Sequence, residues 1–112
     1  MGYTLWQSFK HAGRGLKIVV KTEKNFKIQL LAAILVLVAA WYRHLEEKQI
    51  LILLLVMSLV LCLEIVNSAV ERLVDILAPR THNFAKEIKD LLAAMVLLAS
   101  IFAVIIGFIV FI

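Results

Sequence analysis

The sequence predicts an all-α membrane protein: three transmembrane helices preceded by an amphipathic helix lying at the membrane surface. Three observations carry this. First, 63% of the 112 residues are apolar and mean hydropathy is +0.99, well above the composition of a soluble domain. Second, three apolar runs, Ile28 to Tyr42, Ile50 to Leu63 and Leu91 to Ile112, are separated by short charged stretches. Third, none of these runs alternates with period 2, so segments that must satisfy their own backbone in lipid are helices rather than barrel strands. The length suits one domain, taken here as residues 1–112.

The first element, expected over residues 3–24, is amphipathic. At about 100° per residue, Lys10, Arg14, Lys17 and Lys21 share one face, and Leu5, Phe9, Ala12, Leu16, Val19 and Val20 share the other. Such a helix sets its cations among lipid headgroups and its apolar face on acyl chains or on the bundle. Charge throughout this stretch leaves no continuous apolar core for a secretory signal, so the start is expected to be retained. Glu23 breaks the pattern, because the same wheel carries it into the apolar stripe. Either the helix frays before Asn25, or a cation or second polar element meets this carboxylate at the membrane edge.

The spans follow at 26–43, 49–77 and 85–112. Only the last apolar run reaches the roughly 20 residues that cross a bilayer core unaided. The first borrows Phe26 and a snorkelling Lys27, and the second continues through the apolar positions of "EIVNSAVERLVDIL" as a projection from the bilayer. Ten of the twelve basic residues lie before the first span or between the second and third, against Arg43 and Lys48 in "RHLEEKQ". By the positive-inside rule the N-terminus is cytoplasmic, and the 43–49 loop and the C-terminus are external. Pro79 marks the turn between the second and third spans. A single cysteine, Cys62, allows no intrachain disulfide. The net charge of +4 comes with no soluble domain to hold nucleic acid, and the basic face is the size of an anchor.

The second span ends unusually. Glu64, Asn67, Glu71 and Asp75 recur at spacings of three, four and four, forming one polar stripe on an otherwise apolar helix. Three carboxylates on one face at the bilayer edge repel one another unless protons or cations intervene. A divalent cation is the economical solution, since Mg²⁺ is commonly held by one or two carboxylates with water or phosphate filling its other positions. A proton-binding carboxylate of a small proton-coupled transporter and a polar cluster that only packs helices in a non-catalytic assembly subunit are the competing readings. The third span opens on "AKEIKDLL", where Lys86, Lys89 and Asp90 share a face. Lysine there suits either phosphate or membrane topology. The glycines of "AGRGLK" lack phosphate-loop spacing, and His11, His44 and His82 lack metal-ligand spacing.

"EIVNSAVERLVD", with "GLKIVVKTEKNF" before it and "AKEIKD" after it, resembles the prokaryotic diacylglycerol kinase family of small membrane lipid kinases. The likeness runs from about residue 6 to the end of the chain. It implies transfer of the ATP γ-phosphate to a lipid hydroxyl with Mg²⁺ by a homotrimer with shared active sites, at the cytoplasmic face of the inner membrane. It further implies Glu64 as general base and Asn67 near the transferred phosphate. Glu23 and Glu71 become the metal-binding carboxylates, and Asp75, His82, Lys89 and Asp90 join them around the nucleotide. The chain departs from the family at Leu92, where a small residue is common, and in "APRTHNF", which lacks the acids of some members. Both departures bear on the shape of the nucleotide pocket. Diacylglycerol and undecaprenol are the acceptors implied, and "KTEKNFKIQL" looks closer to the undecaprenol-kinase branch.

Overall fold

A computed structural model of the chain describes residues 4–77 and 83–112. The described residues form four helices, α1 (Leu5–Thr22), α2 (Lys24–Tyr42), α3 (Glu47–Leu77) and α4 (Asn83–Phe111), with no strand among them. By length and composition α2, α3 and α4 are each able to cross a membrane.

α1 starts on a reciprocal cap. Thr4 Oγ1 accepts from the Gln7 amide at 3.2 Å, and Gln7 Oε1 accepts from the Thr4 amide at 3.0 Å, which satisfies two of the donors that a helix start leaves orphaned. The helix ends at Thr22, short of the expected 24. Glu23 is the sole residue between α1 and α2, with extended backbone at φ −107° and ψ 106°. Both readings of Glu23 meet at this elbow: the helix breaks before Asn25, while the Glu23 amide still donates to Val19 O at 2.9 Å, which keeps the residue one turn beyond the buried position of α1.

The opposite end of α2 closes on a Schellman motif. Leu45 N–H donates to Ala40 O at 3.1 Å and His44 N–H to Trp41 O at 3.2 Å, with His44 at φ 53° in the left-handed position usually held by glycine. Arg43 also donates to Phe111 O at 3.4 Å, tying the loop end of α2 to the last turn of α4.

α3 is the spine, packed against both α2 and α4. Its buried positions Leu53, Val60, Asn67 and Val74, and those of α2 at Phe26, Ala33 and Ala40, recur every seven residues. That is the seam of helices that cross at a shallow angle in the left-handed sense. The alanines let the backbones approach closely, which matters where lipid supplies no hydrophobic drive between helices and packing must. Large apolar side chains elsewhere, such as Leu31, Leu55, Phe102 and Ile109, are exposed, as a lipid-facing surface requires. At 1.5 Å per residue, α2 is about 28 Å long and matches the bilayer core, whereas α3 is about 46 Å and outruns it. Counting from Glu47, Glu64 stands about 26 Å along α3, near the end of such a core, and Asp75 stands about 42 Å along, beyond it.

A polar cluster where the spans leave the membrane

At the end of the bundle shared by the start of α2, the last turns of α3 and the start of α4, the apolar seam gives way to polar residues. Glu64 is 2% exposed, the most completely buried large side chain among the described residues. Gln29, one turn into α2, donates from Nε2 to Glu64 Oε2 at 3.5 Å, and the Asn67 amide lies against the same carboxylate. Asn67 Oδ1 and Gln29 Oε1 are buried without a hydrogen-bond partner among the described residues. Buried orphan oxygens are uncommon, and here both are acceptors that a donor or a cation would satisfy.

The elbow residue reaches into this cluster. Ser68 Oγ donates to Glu23 Oε1 at 2.8 Å, and Arg72 stands 3.8 Å from the same oxygen while donating to Thr22 Oγ1 at 2.8 Å. Both the cation and the polar element that Glu23 demands come from α3. Farther out, Lys89 Nζ of α4 bonds Asp75 Oδ1 of α3 at 2.6 Å, both side chains being substantially exposed. Glu71, between these sets, is half-buried and makes no hydrogen bond or ion pair among the described residues. It stands one turn from Asp75 and two turns from Glu64 on the same face of α3. The crowded carboxylates are thus relieved one by one: Glu64 by amides, Asp75 by lysine, Glu23 by serine and arginine, and Glu71 by no described group.

Of the residues singled out in the sequence, Glu64, Asn67, Glu71, Glu23, Asp75 and Lys89 therefore gather at one end of the fold. Asp90 is exposed and makes no hydrogen bond or ion pair among the described residues, so Lys89 takes Asp75 rather than its neighbour as partner. His82 lies outside the described residues. No group of three His, Cys, Asp or Glu side chains among the described residues forms a metal cage. Gln29, Ser68, Thr22 and Arg72 were not foreseen. Gln29 carried a signal, being the polar residue inside the first apolar run, and Ser68 and Arg72 stand one and five residues past Asn67 beside the stripe.

Below the cluster runs a groove of 560 Å³ between α2, α3 and α4, walled by side chains such as Ala33, Val36, Val60, Val104 and Phe108. Gln29 is at its polar end and Phe111 and Ile112 are at the other. A buried carboxylate thus sits where an apolar channel meets a charged surface. The oxygen-rich acids, two cations and a membrane-facing groove suit chemistry on a hydroxyl held at the interface with a phosphorylated partner arriving from water.

The profile of prokaryotic diacylglycerol kinases matches residues 10–111. A diacylglycerol kinase of Synechocystis sp. is 40% identical over 101 residues, covering 89% of this chain and 58% of that protein. The undecaprenol kinase of Bacillus subtilis is 34% identical over 106 residues, 95% of this chain and 86% of that one. The diacylglycerol kinase of Escherichia coli is 32% identical over 95 residues, 85% and 78%. This chain therefore spans less than two thirds of the first relative and most of the other two.

Proposed function

The chain belongs to the prokaryotic diacylglycerol kinase family, and from that premise we propose that it moves the γ-phosphoryl group of ATP to the hydroxyl of a membrane lipid alcohol, diacylglycerol or undecaprenol. The observation that carries this reading is Gln29, which both bonds the buried Glu64 and lines the apolar groove. A lipid lying in that groove brings its hydroxyl to the one carboxylate shielded from water.

In the proposed step, Glu64 accepts the hydroxyl proton as the lipid oxygen attacks the γ-phosphorus. The new P–O bond forms as the bond to the β-phosphate bridging oxygen breaks, and ADP leaves with that electron pair. Asn67 steadies Glu64 and meets the transferred group with its amide. Lys89, oriented by Asp75, holds nucleotide phosphate as a point charge, and Asp90 and His82 complete the nucleotide surface.

A Mg²⁺ requirement fits the donors present. Glu23, Glu71 and the orphan Oδ1 of Asn67 are all hard oxygen donors, and a Mg²⁺ site completed by phosphate and water needs no third carboxylate. Glu23 and Glu71 would hold the ion, which when bound neutralises charge developing on the phosphoryl oxygens. The distribution of basic residues supports a cytoplasmic N-terminus and a site on the inner face of the cytoplasmic membrane. The homotrimer is inferred from the family resemblance, and it would cover part of the apolar flank of α4.

The test is transfer of labelled γ-phosphate from ATP to diacylglycerol, undecaprenol and other lipid alcohols by protein in bilayers. Label in a lipid product, dependent on Glu64, is expected. Absence of product with every alcohol, in folded and correctly inserted protein, would remove the kinase reading.

A further inference from the structure

We propose that Arg72 is a positioning residue: it pins the elbow between α1 and α2 to α3 and thereby fixes where the Glu23 carboxylate stands. The inference deepens the reading of Glu23 as a cation-binding carboxylate and rests on it for its catalytic consequence.

Apart from the Ser68 hydroxyl on its carboxylate, the elbow has little to hold it. Glu23 is a single extended residue between two helices and makes no side-chain cap. Its backbone bonds are its own N–H to Val19 O at 2.9 Å and a long 3.3 Å contact from the Lys27 amide to its carbonyl. In α1, Val19 is the one described residue that is buried, so the surface helix contributes almost no packing that would orient the joint. A junction with so few buried contacts opens locally at small free-energy cost.

Ser68 ties the Glu23 carboxylate to α3, and Arg72 adds a tie from α3 to the last residue of α1. Its guanidinium donates to Thr22 Oγ1 at 2.8 Å, and that hydroxyl donates onward to Ile18 O at 2.7 Å. A continuous chain therefore runs from α3 through the last side chain of α1 to a carbonyl of its final turn. The C-terminal end of α1 carries the negative end of the helix dipole, so a cation is favoured close to it. The same guanidinium nitrogen stands 3.8 Å from Glu23 Oε1, which Ser68 holds at 2.8 Å.

Two roles are separable by magnitude. As a counter-charge for Glu23, Arg72 is weak, because the pair is long and the two side chains are 49% and 27% exposed. As a strut to Thr22 it is well formed. The two roles also predict opposite signs. Removing a competing positive charge would tighten cation binding at Glu23, whereas releasing the elbow would weaken it.

The experiment compares Arg72→Gln, Arg72→Lys and Thr22→Val in the full chain in bilayers, with two readouts. Amide hydrogen exchange over residues 19–23 should accelerate about tenfold in Arg72→Gln, the weight of one charge-assisted hydrogen bond, and by a similar factor in Thr22→Val. Arg72→Lys, which keeps the charge but loses the reach and planar, pre-organised donors of the guanidinium, should fall between wild type and Gln. The Mg²⁺ concentration for half-maximal phosphoryl transfer should rise in Arg72→Gln, and this rise should disappear in a Glu23→Gln background, because Arg72 acts through Glu23.

Unchanged exchange over 19–23 in both Arg72→Gln and Thr22→Val overturns the strut. A fall in half-saturating Mg²⁺, or a rise that persists undiminished without Glu23, overturns the positioning role. If Arg72→Gln does not fold, Thr22→Val removes the same bond from the other side and decides. If the wild type phosphorylates no lipid, the kinase reading has failed, and the exchange measurement alone decides whether Arg72 holds the elbow.

Discussion

Gln29 of α2 donates to the buried Glu64 of α3 at 3.5 Å. The distance marks a weak bond, and its consequence is orientation rather than strength. Glu64→Gln should lower kcat by roughly 10²–10⁴-fold, as loss of a general base does, with the ATP KM near its starting value. Gln29→Leu, which leaves the base in place but unsteered, should lower kcat only about two- to tenfold. Steady-state kinetics of both variants with lipid and ATP varied separately checks the ordering. Equal losses would mean that Glu64 serves packing and not proton transfer.

Asp75 and Lys89 form the tightest side-chain contact between α3 and α4, yet both are open to water. Exposed pairs contribute little to stability. Asp75→Asn and Lys89→Gln should therefore leave the melting temperature unmoved while each raises the ATP KM about tenfold, the weight of a charged contact to phosphate. The double variant should lose much less than the product of the two, because each residue orients the other. Thermal melts beside ATP titrations separate these outcomes.

Glu71 is the carboxylate of the α3 stripe that the described residues leave half-buried and without a partner. A group in that position gains most from an added cation. Glu71→Gln should raise the Mg²⁺ needed for half-maximal rate beyond what chelates ATP, and should not reduce stability in the absence of metal, since like-charge repulsion with Glu64 is relieved. An unchanged Mg²⁺ titration would take Glu71 out of the cation site.

His44 holds a left-handed backbone at φ 53° in the loop remote from the polar cluster. A side chain there costs about 1–2 kcal/mol, partly offset by the extra chain entropy that glycine loses on folding. His44→Gly should stabilise the protein by about 0.5–1 kcal/mol and leave kcat and both KM values as they were. Unfolding measured in mixed micelles, beside an activity assay, gives both numbers.

The three spans were legible because membrane helices must be long, apolar and internally bonded, which leaves few alternatives. The polar stripe was legible because Glu64, Asn67, Glu71 and Asp75 follow helical spacing. What meets the stripe was not, since Gln29 to Glu64, Ser68 to Glu23 and Lys89 to Asp75 join separate segments. Such pairs depend on the register of one helix against another, which the small residues Ala33 and Ala40 set through close approach. A break before Asn25 is one of the two readings of Glu23 that the sequence allows, but its partners on α3 were not legible, for a related reason. No proline or glycine marks it, and the break is held by tertiary partners rather than by local chemistry.

The remaining question is whether one chain completes a site, and Asp90 decides how to ask it. Glu64 and Glu71 stand seven residues apart on one face of α3, so substitutions at both disable the same half of any shared site. A mixture of Glu64→Gln and Glu71→Gln chains should therefore recover little. Asp90 is exposed and unengaged by the described residues of its own chain, and the span window of α4 has none of its residues buried, so in the proposed homotrimer Asp90 is free to serve a neighbour's site. If so, Glu64→Gln mixed one to one with Asp90→Asn should regenerate about one intact site in four in cyclic assemblies, since a working site then needs one unaltered contribution from each of two neighbours. Activity should rise and fall with the mixing ratio, peaking at equal amounts. Mixed assembly is verified by co-purification of two differently tagged chains. Co-assembled chains that stay inactive at every ratio, while Asp90→Asn alone is inactive, would put Asp90 and Glu64 in the same protomer's site.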